Sequence, residues 1–177
     1  MGREVRRVPA NWKHPTNKDG EYIPLLEGPY SKSLASWEEE RLKWDNGLVS
    51  DWNGGWKAKP SEEECPSYED WNGPRPEAKD YMPEWPEEEK THLMMYETCT
   101  EGTPISPAIA DKYELAHWLE DNKASAFGDS TASWESWLAT IEAGWAISAV
   151  IVGGKIESGV EFNKIQQADV VVEIGDK

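Results

Sequence analysis

The chain has 177 residues, with 34 acidic side chains against 18 basic ones and a formal net charge of −16 at pH 7. That length suits one domain, or one domain with a small appendage, and is enough to bury a real core. The acidic balance excludes a simple electrostatic binder of duplex DNA or of an anionic membrane, and a 38% hydrophobic share excludes a wholly disordered acidic tail.

Residues 1–20 hold five basic side chains (Arg3, Arg6, Arg7, Lys13, Lys18) against Glu4 and Asp19, and read as a basic N-terminal arm. The arm leads into Trp, Lys, His and Pro rather than an apolar stretch, so no signal peptide is expected. No apolar run approaches the ~20 residues of a spanning helix, and mean hydropathy is −0.75. Cys65 and Cys99 lie in no CxxC pair and make no disulfide framework. A soluble protein of a reducing cytoplasm is the expectation.

Residues 21–90 form an acidic region rich in Pro and Trp. All twelve prolines lie between Pro9 and Pro107. Because proline fixes φ and removes a donor, this half is expected to be largely irregular. One helix is predicted over Ser33–Asn46, where Leu34, Trp37 and Trp44 share a face, Ser36–Glu39 fits a capping box and Gly47 is a stop. Two copies of Asp-Trp-Asn-Gly, at 51–54 and 70–73, read as tight turns carrying a Trp.

Residues 91–177 read as the regular core. A strand is predicted over 92–100, then a proline-bracketed loop. A helix capped by Asp111 follows, with Leu115, Trp118 and Leu119 on one face and Asn122 at its end. Ser130 or Thr131 caps a third helix bearing Trp134, Trp137, Leu138 and Ile141, closed by Gly144. Trp145–Val152 reads as a buried strand, Gly153-Gly154 as a turn, 155–162 as an antiparallel return and 168–174 as a last strand. The expected fold is α+β: a small antiparallel sheet with about three helices, preceded by the irregular half.

Three acidic triplets stand out: Glu38, Glu39 and Glu40; Glu62, Glu63 and Glu64; Glu87, Glu88 and Glu89. One reading is solvated faces that confer solubility. The other is a patterned negative surface interleaved with aromatics, able to occupy a basic channel that DNA would use. The helical Trp37, Trp44, Trp118, Trp134 and Trp137 are assigned to the core, whereas Trp52, Trp56, Trp71 and Trp85 fall in loops and are candidate anchors. His14, His92 and His117 are scattered, so neither a metal site nor a cofactor is expected. No nucleophile elbow, phosphate loop or dinucleotide glycine pattern occurs. The densest cluster of polar and turn residues is the loop Thr98–Pro107.

The start Met-Gly-Arg-Glu-Val-Arg-Arg-Val-Pro, the central Met95-Tyr96-Glu97-Thr98 with Glu101–Pro107, and Gly144-Trp145-Ala146 with Gly153-Gly154 resemble a group of uncharacterised proteins of tailed bacteriophages and prophages. The likeness covers the N-terminal arm and most of 90–160. It implies a phage accessory protein acting inside a bacterial host, and transfers no functional residue. In that setting the expected function is inhibition of a host defence or nucleic-acid-processing complex, of the anti-CRISPR or anti-restriction kind, in the manner of a DNA mimic. The nine glutamates and four loop tryptophans would meet a basic surface of the partner. No membrane is involved, and direct contact with nucleic acid is expected only through Arg3, Arg6 and Arg7. Two alternatives stand beside it: a virion or assembly component, and a small enzyme or nucleotide-binding protein built on the 98–107 loop.

Overall fold

The computed structural model describes residues 2–51, 53–98, 102–152 and 154–165. Along them lie β1 (Arg3–Val8), α1 (Tyr30–Asp45), β2 (Leu48–Ser50), β3 (Trp56–Ala58), α2 (Tyr68–Asn72), β4 (His92–Glu97), β5 (Thr103–Pro104), α3 (Lys112–Asp121), α4 (Trp134–Ala143), β6 (Trp145–Ala146), β7 (Ala149–Val152) and β8 (Lys155–Ser158). This is an α+β fold. It divides into two units, Met1–Pro24 with Trp85–Lys177, and Leu25–Glu84. The boundaries read from composition fall near those of the second unit. The N-terminal residues and the C-terminal region, however, belong to one unit rather than two.

The reason is β1. Instead of a free arm, it is an inner strand of an antiparallel sheet ordered β5-β4-β1-β6, with Arg3 opposite Glu97 and Val8 opposite His92. Side chains alternate faces along a strand. Val5 and Met95 therefore point to α3 and α4, joining a core of Leu115, Leu119, Trp137, Ile141 and Val160. Arg6, Val8, Met94 and Tyr96 point the other way. There the proline-punctuated segment after β1 covers them: Trp12 Nε1 donates to Tyr96 Oη at 3.2 Å and His14 packs beside that ring. Both faces of β4 are covered, which is why Met94, Met95 and Tyr96 are all buried in succession.

Arg3 and Arg6 are buried accordingly. Arg3 donates to Ser125 O (2.8 Å), Ser125 Oγ (3.0 Å) and Gly2 O (3.0 Å), and sits 3.6 Å from Glu97. Arg6 pairs with Glu4 and lies 4.3 Å over the Tyr96 ring. Of the three arginines read as an arm, Arg7 stays exposed and pairs with Glu87 at 2.9 Å.

The helices follow their caps. Asp111 accepts from the amides of Tyr113 and Glu114 and Asn122 ends α3; Gly144, at φ 84°, ends α4. The N-cap of α4 is Ser133 rather than Ser130 or Thr131, because its hydroxyl is the one that reaches the Ser136 amide. The apolar run 145–152 is not one buried strand. β6 joins the main sheet, whereas β7 leaves it to form a separate hairpin with β8. Residues 159–165 are then helical, so the expected antiparallel return ends at Ser158. Residues 168–174 and Cys99 lie outside the described residues.

In the 25–84 unit, Pro29 starts α1 with a preset φ of −72° and no side-chain cap. The Ser36–Glu39 box therefore lies inside the helix. Trp37 and Trp44 are buried with Val49, Cys65 and Tyr68. The Asp-Trp-Asn-Gly copies differ. Asp51 accepts from the amides of Asn53 and Gly55, closing a turn between β2 and β3. Asp70–Asn72 instead belong to α2, capped by Ser67 and ended by Gly73 at φ 84°.

Candidate acidic and aromatic binding surface

In the 25–84 unit, the seven-residue spacing of Trp37 and Trp44 sets both indoles on the inner face of α1. Tyr68 from α2 packs on both, edge-on to Trp37 at 5.1 Å and tilted to Trp44 at 5.8 Å. Trp37 Nε1 donates to Gly73 O at 3.3 Å. Tyr68 Oη donates to Glu40 at 3.4 Å and accepts from Asn72 Nδ2 at 2.6 Å. Burial, reinforced by the negative Glu40, pushes the Tyr68 hydroxyl up to about 12.

The nine candidate glutamates sort by what they touch. Glu38 is paired with Arg75 at 2.8 Å. Glu40 is the half-buried acceptor for Tyr68. Glu64 accepts from the Ser61 amide (3.0 Å) and hydroxyl (3.1 Å), and those bonds hold its carboxyl below the usual range. These three serve the fold. Glu39, Glu62 and Glu63 are exposed and make no ion pair among the described residues. The third triplet belongs to the other unit. There Glu87 is held below the usual range by Lys90 (2.6 Å) and Arg7 (2.9 Å), while Glu88 and Glu89 are exposed and form no ion pair among the described residues.

The candidate tryptophans separate likewise. Trp56 and Trp71 are exposed at 42% and 36%. Trp85 is half-buried, packed edge-on against Trp12 at 4.8 Å, and so belongs to the cover of the main sheet rather than to a free surface. Trp52 lies outside the described residues. Sequence reasoning missed Trp145, exposed at 59%, by placing it in a buried strand.

Lysine and arginine side chains of the chain already seek the rings of this unit. Lys59 Nζ stands 4.9 Å from the Trp44 ring, Lys43 Nζ 5.2 Å from Trp56 and Arg41 Cζ 5.9 Å from Trp37. Arg41 also reaches Asp45 (3.4 Å) and Glu69 (3.8 Å). Between the start of α1 and residues 72–81 runs an open groove of about 510 Å³, lined by Trp37, Tyr81, Glu27 and Glu40 among others. With Glu40 engaged by Tyr68, the aromatic walls and the carboxylate of Glu27 are what suit a guanidinium or ammonium group.

The rest of the 98–107 loop is built into the sheet. Thr103 and Pro104 pair with Glu97 and Tyr96, and the Ser106 hydroxyl accepts from the Met95 amide at 2.8 Å; residues 99–101 lie outside the described residues. Among the described residues no group of three or more His, Cys, Asp or Glu side chains is placed to hold a metal ion. No helix among them is long and apolar enough to cross a membrane.

The chain matches no family model, no curated protein and no solved structure. Residue chemistry therefore carries the functional reading.

Proposed function

We propose that this chain is a phage-encoded binding protein that docks on a basic, nucleic-acid-handling surface of a bacterial defence or nucleic-acid-processing complex and inhibits it. The observation that carries this reading is the 25–84 unit itself. There, three tryptophan rings already hold cationic side chains, and the same unit carries Glu39, Glu62 and Glu63, exposed and without an intramolecular ion pair among the described residues. A partner's Arg or Lys, arrayed to bind phosphates, meets the same two kinds of group here. Exposed Trp56 and Trp71 supply aromatic contact area of the kind favoured at interface centres. The phage setting, and action in the host cytoplasm, rest on the resemblance of the N-terminal and central motifs.

The test is affinity capture from bacterial lysate at low and high salt, with the chain and with an E39K/E62K/E63K variant. The expected result is a nucleic-acid-binding partner, retained at low salt, weakened at high salt and lost with the variant. Recovery of capsid or tail proteins alone, or capture indifferent to the three reversals, overturns the proposal.

A further inference from the structure

The β7–β8 hairpin stands as its own two-stranded sheet, and neither strand pairs with any other among the described residues. Its register sets Ile151 opposite Ile156 and Val150 opposite Glu157. Ile151 and Ile156 therefore share a face, and they are exposed at 78% and 70%. Two large aliphatic side chains so open, on a strand pair whose outer edges no other described strand covers, form a template for another strand.

The edge of β8 is specific about which strand. Gly159 N donates to Ser148 O at 3.2 Å, so the pair 148/159 is hydrogen-bonded. Antiparallel pairs alternate between hydrogen-bonded and non-hydrogen-bonded. By that alternation 150/157 and 152/155 are bonded across the hairpin, and 151/156 is not. The N–H and C=O of Ile156 consequently point outward from the outer edge of β8, which pairs with no other strand among the described residues.

We infer that β8 pairs antiparallel with β8 of a second copy of this chain, on a two-fold axis through Ile156. In that register the two Ile156 residues exchange both backbone hydrogen bonds, as their outward groups require. Lys155 of each copy then stands opposite Glu157 of the other, in the closer non-hydrogen-bonded positions, giving two opposite-charge pairs from one self-complementary strand. On the other face, Ile151 and Ile156 of both copies form one continuous aliphatic row across four strands. The pattern Lys-Ile-Glu is complementary to itself only when read antiparallel about its centre, which is the isologous geometry of a two-fold dimer. This inference is independent of the proposed function: its residues lie outside the acidic and aromatic surface.

Sedimentation velocity over a range of protein concentration tests it, with K155E, E157K and an equimolar mixture of the two. The native chain is expected to form a dimer that dissociates on dilution, since a short edge supports a weak interface. Each reversal places like charges opposite one another and is expected to weaken the dimer about tenfold or more at low ionic strength. The mixture is expected to regain the native affinity, because one copy then carries two acids and the other two bases. Unchanged melting temperatures establish that both variants fold. A native chain that stays monomeric, reversals without effect, or a mixture that fails to associate would each overturn the pairing. So would occupation of the β8 edge by another segment of the same chain.

Discussion

The Tyr96 hydroxyl lies 3.2 Å from Nδ1 of His14, and it is the donor. The tautomer follows from the other ring nitrogen: His14 Nε2 is 2.6 Å from the carbonyl oxygen of Ile23, which can only accept. Nε2 therefore carries the hydrogen and Nδ1 receives the one from Tyr96. With Trp12 donating to the same hydroxyl, three side chains clamp residues 9–24 onto the outer face of the main sheet.

That clamp needs a neutral imidazole, and stability should follow its protonation. Burial lowers the His14 pKa, with Arg6 adding to the effect and the Ile23 carbonyl opposing it. Just below the ordinary value of about 6.5 the unfolded chain binds a proton that the folded chain does not. Stability is thus fully present above that pH, and is lost progressively as pH falls toward the depressed folded value. Proton NMR should show the His14 ring titrating below the ordinary imidazole value. A His14→Gln variant should flatten the mildly acidic part of the stability curve. A raised His14 pKa would contradict the assignment.

Arg3 belongs to the fold, so Arg3→Ala should cost about 3 kcal/mol in urea unfolding, the scale for stripping one member from a buried charge pair. Lysine cannot reproduce the forked contacts to Ser125 and should not restore it. Arg7→Ala, at an exposed ion pair, should change stability by less than about 0.5 kcal/mol. Equal effects at the two positions would return β1 to the status of a free arm.

The local signals of the sequence were sufficient wherever a few neighbouring residues decide the structure. Asp111, Asn122 and Gly144 mark helix ends because capping is settled within one turn. The strand from His92 and the turn at Gly154 are likewise local. What could not be read was long-range pairing. Nothing near Arg3 announces Ser125, 122 residues away, or that β1 inserts between β4 and β6. The same holds for the site. Composition showed nine glutamates as equivalents, yet Arg75, Tyr68, Ser61, Arg7 and Lys90 claim four of them through contacts that only the folded chain makes.

Gly159 has no room for a side chain: a Cβ there would overlap the Ile147 carbonyl, a backbone group that cannot rotate away. Gly159→Ala should destabilise the unit formed by residues 1–24 and 85–177 by about 1–3 kcal/mol, the usual cost of overpacking. Hydrogen exchange should accelerate first in the β7–β8 hairpin. An unchanged melting temperature would mean that the hairpin sits elsewhere.

Glu40 should behave unlike its neighbours. Glu40→Gln removes the negative charge beside Tyr68 and should bring its phenol down from about 12 in an absorbance titration. Partner binding should persist in this variant, because Glu40 faces Tyr68. Loss of binding comparable to that of E39K/E62K/E63K would place Glu40 in the interface.

The measurement that bears most directly on function is displacement of nucleic acid from the captured partner. Labelled duplex or guide RNA is bound to that partner and the chain is titrated in. Stoichiometric release by the native chain, abolished by E39K/E62K/E63K and weakened by salt, is the predicted result. Nucleic acid that stays bound at saturating protein would contradict inhibition by occupation of a basic channel.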